Sequence, residues 1–127
     1  MLPFGIVVDG RLRGAMTFAG VTRGAYDGAH VGYWVDQQVA GRGVVPTALA
    51  LVIDHCFGPV GLHRVEANVR PENAASLRVV RKLGFAEEGR LRRYLFIDEA
   101  WRDHLSFALL AEDAPGGVLR RLLGRPA

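Results

Sequence analysis

Two glycines separated by one arginine, Gly41-Arg42-Gly43, lie between a predicted strand and a predicted apolar helix. Glycines in such a turn let backbone N–H groups converge at the positive end of a helix, which is typical of an anion site. The dinucleotide fingerprint needs a third glycine where this chain has Pro46, and the P-loop needs a Gly-Lys-Ser/Thr sequence that is absent. The short pattern that remains begins at Gln38, and a plain structural turn fits it equally well.

Composition limits the classes of protein to consider. The 127 residues are 50% hydrophobic and 23% charged, which predicts one globular domain. No apolar run could span a bilayer and no signal peptide is recognisable, so we expect a cytoplasmic protein without a membrane partner. The net charge of +3 comes with little aromatic interleaving, which disfavours nucleic acid. The histidines lack metal-ligand spacing, so no metal is expected, and the single Cys56 is expected to be a packed residue.

The elements that must position the glycine turn follow from hydrophobic periodicity and turn residues. Their predicted order is β-β-β-α-β-α-β-β, a mixed α/β sheet, with one parallel crossover over 30–69 and antiparallel hairpins on either side. Strands are predicted at 3–9, 11–21, 30–36, 63–69, 85–97 and 101–110, with a helix at 44–57. A second helix is predicted between Asn73, as N-cap, and Gly84, as its stop. We expect one domain over 1–112 and a C-terminal tail over 113–127.

The chain resembles the GCN5-related N-acetyltransferases (GNAT), and within them the RimJ/RimL type that acetylates the N-termini of ribosomal proteins. The resemblance rests on Q-x-x-G-x-G before the first helix and on N-x-x-S-x-x-x-x-x-K-x-G-F across the second. Phrases such as VGYWV, HRVEANVRPENAAS and WRDHL extend it over about residues 4–112. It implies the acyl-CoA N-acyltransferase fold and acetyl transfer from acetyl-CoA to a primary amine. The acceptor that it implies is the N-terminal alanine of a ribosomal or other protein.

The resemblance also implies where the co-substrate lies. The sheet should open after the third strand, with the pantetheine paired along that strand and the pyrophosphate at the glycine turn. Lys82 or Arg81 would reach a phosphate on the adenine side, although a solvated helix face is the favoured explanation of each. The residues that the resemblance assigns to binding acetyl-CoA are Trp34, Val35, Gln38, Gly41, Arg42, Gly43, Val44, Asn73, Ser76 and Lys82.

For catalysis, the resemblance implies that Ser76 is the acid that protonates the departing thiolate. Helix capping is the alternative role of this residue. Many family members use a tyrosine acid in the second helix, and Val80 stands there in this chain. The base is less defined, since the two positions where relatives carry a glutamate are Asn68 and Leu95 here.

Without a glutamate at either position, Glu66 is the candidate base, because it lies on the same strand face as Asn68. A water chain without a dedicated base is an equal alternative. His63, His104 and Glu88 are further candidates.

Members of the family begin with a strand and two helices that are not seen before the first hairpin of this chain. A misassigned start, a fragment and a short natural form are three explanations. An uncovered apolar surface would follow from the third, so we expect a homo-oligomer. Two other functions stay open: acetylation of a small-molecule amine, and a non-catalytic acyl-CoA-binding module.

Overall fold

The structure is a computed structural model that describes residues 2–35 and 43–124. The described residues form one six-stranded sheet with the strand order β1-β2-β3-β4-β6-β5. The strands are β1 (Leu2–Val8), β2 (Arg11–Thr22), β3 (Gly28–Val35), β4 (Arg64–Val69), β5 (Ala86–Ile97) and β6 (Ala100–Leu110). The helices are α1 (Val44–Phe57), α2 (Ala74–Lys82) and α3 (Val118–Gly124). The predicted mixed α/β sheet and the predicted order are confirmed.

Two tight turns set the hairpins. Asp9 and Gly10 have φ values of 53° and 77°, and Asp98 and Glu99 have φ values of 51° and 63°. Two successive left-handed residues give the turn whose twist matches that of paired strands. The Asp-Gly hairpin is therefore confirmed, and the second hairpin closes through a pair that lacks glycine.

The core lies on one face of the sheet. Both crossovers, β3-α1-β4 and β4-α2-β5, proceed in the same direction across the sheet, so right-handed connections place both helices on one side. Strand residues alternate accordingly: Val65, Ala67 and Val69 are buried, while the residues between them are partly exposed. Ile53 of α1 and Val80 of α2 are fully buried in the same cluster. We call this side the helix face and the other side the open face.

The segment beyond residue 112 joins this core. Val118 of α3 is buried against α1. The backbone N–H groups of Val118 and Leu119 donate to the Asp54 carboxylate at 2.7 Å and 3.0 Å. A carboxylate of α1 therefore caps the short last helix and fixes it to the domain.

Strands β3 and β4 are parallel neighbours along only part of their length. Their paired residues are Gly28–His30 with Arg64–Glu66. Beyond this register, β3 still pairs with β2 as far as Val35, and β4 still pairs with β6 as far as Val69. The sheet therefore opens between β3 and β4, as expected, and we call this opening the wedge.

Candidate functional site

The wedge encloses a cavity of about 240 Å³ that is lined from both faces of the sheet. Tyr33, Asn73 and Ser76 line it from the helix face, and Gly32, Asn68 and His104 line it from the open face. The faces follow from strand alternation, because Val31 and Ala67 point into the core and their neighbours Gly32 and Asn68 point away. The cavity therefore joins the two sides of the sheet.

On the helix face, Ser76 is held by two hydrogen bonds. Its backbone N–H donates to Asn73 Oδ1 at 3.1 Å, which confirms Asn73 as the N-cap of α2. Its Oγ accepts from the Tyr33 hydroxyl at 3.1 Å. The capping role belongs to Asn73, so the Ser76 hydroxyl keeps its own proton for another acceptor.

Tyr33 is suited to be the donor in this pair. Burial raises the pKa of its hydroxyl, and the hydrogen bond with Ser76 lowers it by less. The phenol therefore stays protonated at neutral pH and donates to Ser76 Oγ. The sequence analysis missed this residue, although the alternation around it on β3 places it on the helix face with Val31.

On the open face, Asn68, Tyr94 and His104 form a second group. Asn68 Nδ2 donates to the Tyr94 hydroxyl at 3.5 Å, and the Tyr94 ring lies edge-on to His104 with centroids 5.5 Å apart. The Asn68 Oδ1 atom is buried and has no hydrogen-bond partner among the described residues. The wedge therefore contains an unpaired acceptor on the side away from Ser76.

The paired end of β3 and β4 carries a different set of groups, which we call the closed-end network: Tyr26, His30, Arg64, Glu66 and Glu88. The Glu66 carboxylate lies 2.6 Å from Arg64 Nε and 2.9 Å from His30 Nε2, and it accepts a hydrogen bond from the Tyr26 hydroxyl. Arg64 also binds Glu88 with two guanidinium nitrogens. Each of the five groups is thus paired with at least one other member of the network.

Electrostatics in this network stabilise the charged carboxylate. Burial raises the pKa of Glu66, but the hydrogen bonds from Arg64 and Tyr26 and the nearby charges of His30 and Arg64 lower it below its ordinary value overall. Burial and the same carboxylate raise the pKa of Tyr26 to about 12. Glu66 does not line the wedge cavity, and a carboxylate with a lowered pKa is a poor proton acceptor. The structure therefore does not bring the candidate base next to Ser76.

At the start of α1, Gly43 is the N-cap, with φ of 76° and no side-chain cap. The first intrahelical bond runs from Thr47 N to Gly43 O, so the N–H groups of Val44 and Val45 precede the helical ladder. Such groups can bind an anion. Gln38, Gly41 and Arg42 lie outside the described residues.

The remaining predicted binding residues lie at two other places. Trp34 and Val35 pair through their backbones with Ala15 and Gly14 of β2. Within residues 2–35 and 43–124, no strand pairs with the opposite edge of β3 at these positions. Lys82 is the exposed last residue of α2, roughly 9 Å along the helix axis from Ser76. Lys82 therefore lies away from the wedge.

An apolar groove of about 510 Å³ lies between β1 and α1. Val7 on β1 and Leu51 on α1 line it and are 64% and 53% exposed. The groove is consistent with the expected self-association, which stays a prediction.

Across residues 2–35 and 43–124, no three His, Cys, Asp or Glu side chains come together as a metal-binding group would require. In the same part of the chain, every helix is too short or too polar to cross a bilayer. Cys56 is buried, and burial raises the pKa of its thiol to about 11.

Comparison with known proteins assigns the fold to a family. Residues 2–86 match the family model described as the acetyltransferase (GNAT) domain. The chain belongs to the GNAT acetyltransferase family. The resemblance seen in the sequence is thereby confirmed.

Individual relatives agree with the RimJ/RimL branch. The chain is 40% identical over 112 residues to the probable N-acetyltransferase YjcK of Bacillus subtilis, covering 87% of this chain and 62% of the relative. It is 36% identical over 104 residues to the ribosomal protein uS5 alanine N-acetyltransferase of Escherichia coli, covering 81% and 54%. The chain thus spans less than two thirds of the length of either relative.

Among solved structures, the Mycobacterium smegmatis RimJ in complex with CoA-disulfide superposes with a TM-score of 0.94 at 50% identity. That match covers 97% of this chain and 59% of the other. The ribosomal-protein-S5-alanine acetyltransferase from Vibrio fischeri superposes with a TM-score of 0.80 at 33% identity, covering 83% and 57%.

Proposed function

We propose that this chain carries the catalytic centre of an acetyl-CoA-dependent N-acetyltransferase whose acceptor is a primary amine. The observation that carries the proposal is the Ser76 hydroxyl, held by Tyr33 in a cavity that crosses the sheet. A proton donor at one side of such an opening can serve a leaving group on that side while a nucleophile approaches from the other.

The described residues fit acetyl-CoA as the co-substrate. The unpaired edge of β3 at Trp34 and Val35 offers backbone groups to an extended chain of amides, as another strand would. The N–H groups of Val44 and Val45, which precede the helical ladder, suit a pyrophosphate. Asn73 and Ser76 line the wedge cavity, which the thioester end of the extended chain would reach. Gln38, Gly41, Arg42 and Lys82 complete the proposed binding set.

In the proposed reaction, the amine nitrogen forms a bond to the thioester carbonyl carbon and the carbon–sulfur bond breaks. Ser76 donates its hydroxyl proton to the departing sulfur, so that CoA leaves as a thiol. Tyr33 keeps the Ser76 oxygen oriented throughout, because its own proton already occupies one lone pair of that oxygen.

We propose the N-terminal alanine amine of a ribosomal or other protein as the acceptor, acetylated in the cytoplasm. The support is the similarity to relatives named as alanine N-acetyltransferases of ribosomal proteins. The cavity of about 240 Å³ in the wedge can admit a terminal amine and an acetyl group.

The test follows free thiol during incubation with acetyl-CoA and peptides that begin with alanine, serine or methionine. Spermidine is included as a small amine and a peptide with a blocked N-terminus as a control. We expect transfer to the alanine peptide, and Ser76→Ala lowers kcat by about a hundredfold with acetyl-CoA affinity retained. Thr22→Ala, which removes an exposed hydroxyl that donates to Gly20 O, is the matched control and leaves kcat unchanged.

Three results would redirect the proposal. Faster transfer to spermidine than to any peptide would identify a small-molecule enzyme. Binding of acetyl-CoA without transfer to any amine would identify a binding module. An unchanged kcat in Ser76→Ala would remove Ser76 as the acid.

A further inference from the structure

We propose that His104 takes the proton from the attacking amine and that the amide oxygen of Asn68 holds that amine. The inference rests on the proposed function, because it assigns the acceptor half of the same reaction. It replaces Glu66 as the base with a residue that lines the wedge.

His104 has one ring nitrogen engaged and one available. It is 4% exposed, and it is the only buried side chain among the described residues that is polar or charged. Its Nδ1 lies 3.1 Å from the carbonyl oxygen of Arg102, and a carbonyl can only accept, so Nδ1 carries the proton in the neutral ring. The lone pair is then on Nε2, for which the described residues provide no hydrogen-bond donor. A fixed tautomer with a free Nε2 is what a general base requires.

Asn68 supplies the matching acceptor. A buried carbonyl oxygen without a donor is costly, and the cost disappears when a ligand supplies an N–H group. A primary amine carries two or three such donors. Tyr94 connects the two residues, because it accepts from Asn68 Nδ2 and places its ring edge-on to His104.

The register of the sheet places these groups together. Asn68 on β4 pairs with Ser106 on β6, and His104 lies two residues before Ser106, so Asn68 and His104 share the open face. Ser76 and Tyr33 reach the same cavity from the helix face. The proton acceptor for nitrogen and the proton donor for sulfur therefore lie on opposite sides of one opening.

The protons of the reaction pass through His104 on the open face and Ser76 on the helix face. An ammonium that becomes an amide loses two protons, while the sulfur gains one. His104 Nε2 takes one proton from the nitrogen and passes it to solvent. Ser76 gives a proton to the sulfur and recovers one from the second proton that the nitrogen loses. The net products are the amide, the CoA thiol and one proton released to water.

Other charged and titratable groups face this site. Arg70 and Tyr33 line the same cavity, and Tyr94 contacts the His104 ring. The Arg70 guanidinium is bound to Glu72 at 2.7 Å. The other candidate bases are occupied elsewhere: His63 binds Glu112 at 2.7 Å, and Glu88 binds Arg64.

The first experiment measures kcat and KM with acetyl-CoA and the alanine peptide as functions of pH. His104→Gln is expected to lower kcat about a hundredfold and to change the shape of its pH profile, with acetyl-CoA affinity unchanged. His55→Gln, at an exposed position on α1, is the matched control and keeps wild-type kinetics. An unchanged kcat in a folded His104→Gln protein would overturn the proposal.

A rescue variant separates loss of the base from loss of the fold in His104→Gln, because only loss of the base can be restored by a new carboxylate. Asn68→Asp places a carboxylate beside the amine, so the double variant Asn68→Asp/His104→Gln is expected to recover at least tenfold of the lost rate. Asn68→Ala alone is expected to raise the peptide KM about tenfold, since it removes the amide oxygen that holds the amine. Absence of both effects would contradict the assignment.

A second measurement is independent of turnover. In the protein labelled with ¹⁵N-histidine, ring-nitrogen NMR is expected to show His104 protonated on Nδ1, and addition of the alanine peptide with CoA shifts the Nε2 resonance. The blocked peptide leaves it unchanged. If the wild-type chain transfers acetyl to no amine, the proposed function fails. The Nε2 shift then still supports the amine site, and no shift with the alanine peptide overturns it.

Discussion

The two ends of the β3–β4 pair are built in opposite ways. At the closed end, Gly28–His30 are hydrogen-bonded to Arg64–Glu66, and the closed-end network fills the open face with mutually paired charges. At the wedge, the same strands separate, and Asn68 Oδ1 has no hydrogen-bond donor in the part of the chain that the structure describes. Paired charges hold the strands together at the closed end, whereas the wedge keeps an amide oxygen available to a ligand.

Glycine serves each end for a different reason. A Cβ at Gly28 would lie 2.7 Å from the carbonyl oxygen of Arg64 and 2.9 Å from the Tyr26 ring. A Cβ at Gly32 would meet nothing within 4 Å. The closed end therefore depends on close packing, whereas the wedge depends on space.

The largest expected loss of stability comes from a substitution that disrupts packing at the closed end. Gly28→Ala forces the backbone of β4 away from β3 and is expected to lower the free energy of unfolding by about 3 kcal/mol, measured by urea denaturation. Gly32→Ala, four residues along the same strand, is expected to change it by less than about 0.5 kcal/mol, because its Cβ enters open space. Equal losses in the two variants would show that the ends do not differ in packing.

A smaller loss of stability is expected when the charge of Glu66 is removed from the closed-end network. Glu66→Gln is expected to cost about 2 kcal/mol at pH 7, since it leaves Arg64 and His30 facing a neutral amide. The pKa of Glu66 is lowered in the folded protein, so the carboxylate stabilises the fold above its ordinary pKa of 4.5. That advantage is lost as the pH falls through the lowered folded value.

The measurement is the free energy of unfolding of both proteins between pH 3 and pH 7. Glu87→Gln is the matched control, because the Glu87 carboxylate is half exposed and its ion pair with Arg81 is long, at 3.8 Å. Such a pair contributes little to stability. A Glu66→Gln deficit that stays constant into acid would contradict the assignment of the network.

The smallest expected effect concerns orientation within the wedge. Tyr33→Phe removes the donor to Ser76 Oγ while keeping the ring, and it is expected to lower kcat about tenfold, or about 1.4 kcal/mol in barrier. Acetyl-CoA affinity and unfolding free energy should change little. Since Ser76→Ala removes the acid itself, adding Tyr33→Phe to it should cost nothing more, and an additive loss would show that the two hydroxyls act separately.

Local chemistry explains which parts of this fold were predictable. The bounds of α1 follow from its apolar run between Gly43 and Gly58, and the structure gives Val44–Phe57 as predicted. The start of α2 follows from the capping preference of Asn73. Residues near in sequence decide such features.

The site was less predictable, because its contacts join distant segments. Tyr33 and Ser76 are 43 positions apart, and their hydrogen bond depends on the phase of β3 relative to α2. The pairing of Glu66 depends on the register of β3 against β4, which places His30 opposite it. The sequence therefore indicated Ser76. It could not show that the Glu66 carboxylate is paired with Arg64 and His30, or that His104 lines the same cavity as Ser76.

Arg121 of α3 contacts the C-terminal end of α2, the helix that carries Ser76. The guanidinium donates to the carbonyl oxygens of Leu83 and Asp113, and it fills the space where a Cβ at Gly84 would lie. Helix α2 is thus fixed at its C-terminus by the last helix and at its N-terminus through Ser76. The position of Ser76 therefore depends on contacts at both ends of the helix that carries it.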